Sequence, residues 1–253
     1  MTVDADEVAA ALADTWEHLT SALPGAWAVR EGGVIAWVSG VGMPTLNGVW
    51  AERADADPAV AARLLSRVGD SGLPYCLQLR QGASSALAQL PSARSMTLAE
   101  EVPLMVAEAP GDVSRISQSG GLVIRQLAPD EVWLHAEIAA AGFEAPVELF
   151  RELMTPDLLM LPGVRCYVGD IGGEAVATGM GVTLGRSVGV FSIATPPEHR
   201  RQGYGAAVTA RAVADGVAAG ASWSWLQSSE LGYAIYGRLG FRTVETWPCW
   251  VRV

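Results

Sequence analysis

The sequence predicts a mixed α/β protein, a mixed sheet with helices on its faces. Three observations lead there. Short apolar runs recur along the chain, separated by Gly-bearing turns, as strands and hairpins are. Other stretches carry apolar residues every three or four positions, as a buried helix face does; Ala206, Ala210, Val213 and Val217 are one such face. Between two patterned regions lies a segment rich in Pro, Gly and Ser, Ala109 to Gly121. The expected organisation is a first domain at 1–110, a linker at 111–121 and a second domain at 122–253.

The first region opens with a helix over 7–19. The segments 26–30 and 34–38 flank Glu31-Gly32-Gly33 and read as a hairpin. Asn47 to Ala51 is a short strand. Pro58 to Val68 is a helix with Pro at an early position and Leu64, Leu65 and Val68 on its apolar face. A strand at 75–79, a helix at 84–90 and strands at 96–98 and 102–106 complete it. In the second region a strand at 122–127 precedes a helix from Pro129 to about Ala141, with acids in its first turn. A break at 143–146 leads to a helix at 147–154. Strands follow at 164–168, 174–184 and 187–194. A helix at 203–217, a strand at 223–227, a helix at 231–239 and strands at 241–245 and 247–252 end the chain. The element order of the first region echoes the end of the second, without visible identity to support a repeat.

Composition narrows the function. The chain has 253 residues, half of them hydrophobic, enough for one large or two small cores. No apolar run approaches the roughly 18 residues of a membrane span. The amino terminus is acidic, unlike a secretory signal, so a cytoplasmic location is expected. Cys76, Cys166 and Cys249 form no CxxC pair, and no His, Cys and carboxylate cluster has metal-ligand spacing, so no metal is expected. All 17 basic residues are Arg. Without Lys there is no Walker A loop and no Schiff-base lysine. A net charge of −10 disfavours nucleic-acid binding.

The chemistry concentrates after the strand 187–194. Pro196-Pro197 ends that strand, then come Arg200-Arg201-Gln202-Gly203-Tyr204-Gly205 and an Ala/Val-rich helix. A helix start carries unpaired N–H groups and partial positive charge. Glycines let an anion approach that backbone, and Arg adds cationic donors. The expected ligand is a phosphate or pyrophosphate. The alternative is a turn whose glycines only cap and pack.

These residues resemble the GNAT superfamily of N-acetyltransferases. Its signature [Arg/Gln]-x-x-Gly-x-[Gly/Ala] is met by Arg200, Gly203 and Gly205. A second segment, Leu226 to Phe241, resembles the family's strand-loop-helix ending in Tyr-x-x-Leu-Gly-Phe, met by Tyr236, Leu239, Gly240 and Phe241. The resemblance covers 122–253 and implies a GNAT-like acyl-CoA N-acyltransferase fold. It implies that acetyl-CoA lies in the V between the strands 187–194 and 223–227, along Ile193, Ala194 and Thr195. The loop from Arg200 through Arg201, Gln202, Gly203 and Tyr204 to Gly205 would hold the pyrophosphate, and Ser229 would also contact the coenzyme. A small-molecule amine would attack the thioester, and Tyr236 would protonate the departing thiolate.

Many members carry a Glu on the strand that here reads Ser187 to Ala194, without an acid. Glu144, Glu137, Asp170 or a chain of waters are the remaining choices for a base. The first region has no such loop. Between 47–51 and 58–68 it carries Glu52-Arg53-Ala54-Asp55-Ala56-Asp57, acidic where a pyrophosphate site is basic. It reads as a degenerate GNAT-like half that extends the sheet, shapes the acceptor pocket, mediates a homodimer or serves as structural cover. The functional readings are an N-acetyltransferase, a non-catalytic acyl-CoA-binding regulatory module, and an interaction protein that keeps the fold alone.

Overall fold

The computed structural model describes residues 2–108 and 121–253. The expected linker at 111–121 lies outside these but for Gly121. The chain forms two compact units, one of residues 4–104 with 243–253, the other of residues 1–3 with 105–242. The last strand of the sequence thus belongs to the unit built by the amino-terminal region.

In the first unit, α1 (Ala5–Thr20) starts at a reciprocal cap. The Asp4 carboxylate accepts from Glu7 N–H at 2.9 Å, and the Glu7 carboxylate from Asp4 N–H at 3.1 Å. The strands β1 (Trp27–Glu31), β2 (Val34–Val38) and β3 (Asn47–Ala51) form an antiparallel meander. Helix α2 (Pro58–Gly69) crosses to β4 (Tyr75–Gln78), which pairs parallel to β3. Short helices α3 (Ser85–Ala88) and α4 (Leu90–Ala93) lead to β5 (Thr97–Ala107). The closing strand β11 (Arg242–Arg252) pairs antiparallel to β4. Leu64, Leu65 and Val68 of α2 pack on Val34, Ala36, Val49 and Leu77 as the core. Charge is buried there as well. Arg80 donates to Glu245 at 2.8 Å and bonds Asp6, and Trp247 donates to the same Glu245 oxygen. A buried carboxylate is tolerated where an arginine and an indole N–H both reach it.

In the second unit, β6 (Val123–Gln126) is followed by α5 (Val132–Phe143), α6 (Val147–Leu153) and α7 (Pro156–Met160). Then β7 (Val164–Ile171), β8 (Glu174–Leu184) and β9 (Ser187–Ala194) form an antiparallel meander. Helix α8 (Tyr204–Ala218) crosses to β10 (Trp223–Gln227), parallel to β9, and α9 (Glu230–Arg238) follows. The strand order is β6-β7-β8-β9-β10, with residues 105–107 of β5 beside β10. Two antiparallel pairs and a helical crossover to a parallel strand thus occur once in each unit. That is the repeat whose order the sequence echoes.

Some element expectations are corrected. The strands expected at 241–245 and 247–252 are the single β11, which runs on through Thr246; within it Pro248 accepts from Leu79 N–H at 3.4 Å through its carbonyl. Those at 96–98 and 102–106 are the single β5, likewise with a proline inside it. The helix expected at 84–90 is two short ones, the second with Pro91 in its first turn. Helix α7 was not expected; Thr155 caps it by accepting from Leu158 N–H at 3.2 Å.

Candidate active site

Strands β9 and β10 pair only at their beginnings, Ser187 with Trp223 through Gly189 with Trp225. Beyond Gly189, β9 runs on to Ala194 without a register to β10. Among the described residues, its edge facing β10 therefore carries backbone donors and acceptors that no strand takes up. An unpaired edge beside a cleft takes an extended amide-bearing ligand as an added strand. Ile193, Ala194 and Thr195 lie at this open end, Ile193 and Thr195 partly exposed and Ala194 buried.

The helix that follows opens without a cap. Gly203 stands before α8 with φ 85°, a left-handed conformation suited to glycine. No side chain bonds the first N–H groups of α8, and its first turn holds no acid. Among the described residues these donors remain for an anion. Gly205 has another use: a methyl there would touch Thr195 Oγ1 and Ile193 Cγ2 at 3.4 and 3.5 Å, so it seats α8 on the end of β9. Tyr204 is buried, and its phenol donates to the Gln202 side-chain oxygen at 2.7 Å. Arg201 is exposed, holds φ 63° and pairs with no described residue.

Arg200 is committed elsewhere. It donates to the carbonyls of Thr195 at 3.2 Å and Gly142 at 2.7 Å, and to the Glu144 carboxylate at 3.0 Å. It thereby ties the end of α5 to the loop. Gly142 permits this approach, since a methyl there would lie 2.8 Å from Ala194 Cβ. Glu144 caps α5 with φ 55° and lies in an open cleft of about 440 Å³ with Glu137, Pro146 and Arg151. Glu137 bonds Arg151 at 3.1 Å, and Asp170 accepts from Gly173 N–H in the β7–β8 turn at 2.8 Å. All three acids considered as a base are thus engaged, two by arginines and one by a turn.

Tyr236 is half-buried on α9, its ring edge-on to Phe241 at 6.0 Å. A methyl on Gly232 would lie 2.6 Å from that ring, so Gly232 keeps the place of the phenol open. Burial pushes the phenol up to about 12, which keeps it a proton donor. Ser229 caps α9, accepting from Gly232 N–H at 3.3 Å.

Within β9 the ladder slips. Thr178 pairs with Ala194 and Met180 with Phe191, so Ser192 and Ile193 together oppose Gly179. Ser192 holds φ 52°, a conformation costing a non-glycine residue about 1–2 kcal/mol. Its hydroxyl lies 3.1 Å from Nε2 of His135, on α5. Nδ1 of that ring lies 2.7 Å from Thr178 Oγ1, which donates to the Tyr167 carbonyl at 2.8 Å. Because the threonine has one hydrogen, the network assigns Nδ1 as the protonated nitrogen and Nε2 as the acceptor of the serine hydrogen. His135 is fully buried, and burial lowers it to about 4, so the ring is neutral. The sequence singled out neither Ser192 nor this role for His135, because a strand slip and a contact 57 residues away leave no local pattern.

Residues 132–241 match the model of the acetyltransferase (GNAT) family. This stretch is a GNAT acetyltransferase domain. Among curated proteins none matches. Solved structures are similar in fold. A GCN5-related N-acetyltransferase from Kribbella flavida is 22% identical with TM-score 0.70, over 96% of this chain and 95% of that one. One from Sphaerobacter thermophilus is 12% identical with TM-score 0.61, over 87% and 80%. A tandem GNAT protein from the clavulanic acid biosynthesis pathway is 13% identical with TM-score 0.55, over 99% and 96%. The mixed α/β fold of GNAT acyltransferases, including a tandem one, is thus present here. Among the described residues no helix is long and apolar enough to cross a membrane.

Proposed function

We propose, from the GNAT acetyltransferase domain at 132–241, that this protein is an N-acetyltransferase moving an acetyl group from acetyl-CoA to a primary amine of a small molecule. The observation that carries this reading is the parting of β9 from β10 beside the uncapped start of α8. The open edge of Ile193 to Thr195 suits the pantetheine amides. The N–H groups after Gly203, with Arg201 at the rim, suit the pyrophosphate. Ser229, the cap of α9, enters this reading as a further coenzyme contact.

In this reading a neutral amine attacks the thioester carbonyl directly. A nitrogen–carbon bond forms, the carbon–sulfur bond breaks, and Tyr236 gives its proton to the departing thiolate. The proton lost by the attacking nitrogen passes to solvent, from which the phenol is reprotonated. A free thiol has a pKa of about 8.5, and a phenol that stays protonated can hydrogen-bond the thiolate as it departs. Glu144, already paired with Arg200, serves as a positioning group at the α5–α6 corner more readily than as a free base. The 4–104 unit enters as a degenerate GNAT-like half without coenzyme.

The test is twofold. Acetyl-CoA at about 100 times its Kd stabilises by about 2.7 kcal/mol, a rise in Tm of about 5–10 °C. No rise would leave the fold as an interaction module. Thiol release over an amine panel separates an enzyme from a binding module. Tyr236→Phe is expected to lower kcat by about 10²-fold or more with acetyl-CoA binding intact. Full turnover in that variant removes Tyr236 from the mechanism.

A further inference from the structure

We propose that Ser192 is the group that accepts a hydrogen bond from the attacking amine, and that His135 is the positioning residue that turns its oxygen toward that amine. The inference rests on the acetyltransferase reading and extends it to the acceptor side, where the strand acid is missing.

Four observations carry it. Ser192 lies in the stretch of β9 that no described strand pairs on the β10 side, and it stays partly exposed. The slip between Thr178 and Met180 brings Ser192 beside Ile193 opposite one residue. Its backbone sits at φ 52°, where a serine is strained, and the structure holds it there. Its hydrogen is committed to Nε2 of a buried, neutral imidazole, itself fixed by Thr178 and the Tyr167 carbonyl. A hydroxyl whose hydrogen is so committed presents lone pairs alone. Such an oxygen takes an N–H of the amine and orients the nitrogen lone pair toward the thioester. It disfavours a ligand that places an acceptor atom there.

The same geometry argues against a proton relay through the ring. A fully buried imidazole with no carboxylate partner among the described residues would have to hold a charge away from water. Ser192 therefore orients the amine, and the proton leaves by solvent.

The experiment uses the full chain, acetyl-CoA and thiol release with the best of spermidine, benzylamine, glucosamine and ethanolamine. Ser192→Gly suits the left-handed backbone and removes the hydroxymethyl side chain with its hydroxyl. It is expected to raise KM for the amine about tenfold, about 1.4 kcal/mol, with kcat within about threefold and KM for acetyl-CoA unchanged. His135→Leu, checked for folding by thermal melting, is expected to reproduce that pattern. His135→Gln, whose amide oxygen can take the place of Nε2, is expected to restore KM toward the wild-type value. Ser192→Gly with wild-type kinetics overturns the proposal. So does a hundredfold loss of kcat at unchanged KM, which would mark proton transfer. Absence of thiol release by the wild-type chain over the panel overturns the acetyltransferase reading and this inference together; activity with an indifferent Ser192 overturns the inference alone.

Discussion

At the scale of single residues, the protein spends buried polarity where it fixes geometry. His135 is the sharpest case, fully buried and neutral, bonded on both ring nitrogens. Its folded value of about 4 lies below the ordinary 6.5, so the unfolded chain takes the proton first as pH falls. The stability this group preserves is complete above pH 6.5, declines as pH falls through the window from 6.5 to 4, and is gone at its lower end. A gap of that size corresponds to about 3 kcal/mol. Urea midpoints from pH 7 to 4.5, above most carboxylate titration, should fall more steeply for the wild type than for His135→Gln. Parallel curves would mean that His135 is not the group titrating. The two arginines of the loop divide in the same way: Arg200 holds structure through three oxygens, whereas Arg201 meets no described partner.

At the scale of elements, that division gives a paired prediction. Arg201→Ala should weaken acetyl-CoA binding about tenfold, less so at high salt, and leave Tm unchanged. Arg200→Ala should lower Tm, because it releases the end of α5 from the loop. Equal effects of the two on binding would contradict the assignment, and calorimetric titration with a melt of each variant decides it. Much of this was legible in the sequence. Strands β2, β3, β8, β9 and β10 fall at the expected bounds, because Gly turns and alternation mark them. The start of α8 was legible because Pro196-Pro197, the arginines and Gly203 lie within one short stretch. The tie from Arg200 to Glu144 was not, since it joins residues 56 apart. Nor was the slip at Ser192, where an ordinary serine in an apolar strand gives no sign of positive φ. Acids misled in the other direction: the expected gap at 99–101 falls on Ala99-Glu100-Glu101, exposed residues that β5 carries without a break.

At the scale of the whole molecule, the two units share a plan and differ where a coenzyme would bind. In the second unit β9 continues past its last pair with β10, Gly189 with Trp225, to Ala194. In the first unit β3 pairs with β4 as far as Trp50 and ends at Ala51, so it runs only one residue past its last pair. The helix starts differ as well. α8 begins at Gly203 with free donors, whereas the Asp57 carboxylate accepts from Ala59 N–H at 2.8 Å and Val60 N–H at 3.4 Å at the start of α2. An anion there would have to displace a built-in one and meet Glu52 and Asp55 on the same loop. Pro58 removes a further donor. Strand length, charge and capping in the first unit each oppose an anion at the start of α2. Titration calorimetry should therefore give one acetyl-CoA per chain. Charge reversal in Arg201→Glu should abolish that single event, and Asp57→Asn should leave it unchanged. A stoichiometry of two, or loss of binding in Asp57→Asn, would place a working coenzyme site in the first unit and overturn its reading as a degenerate half.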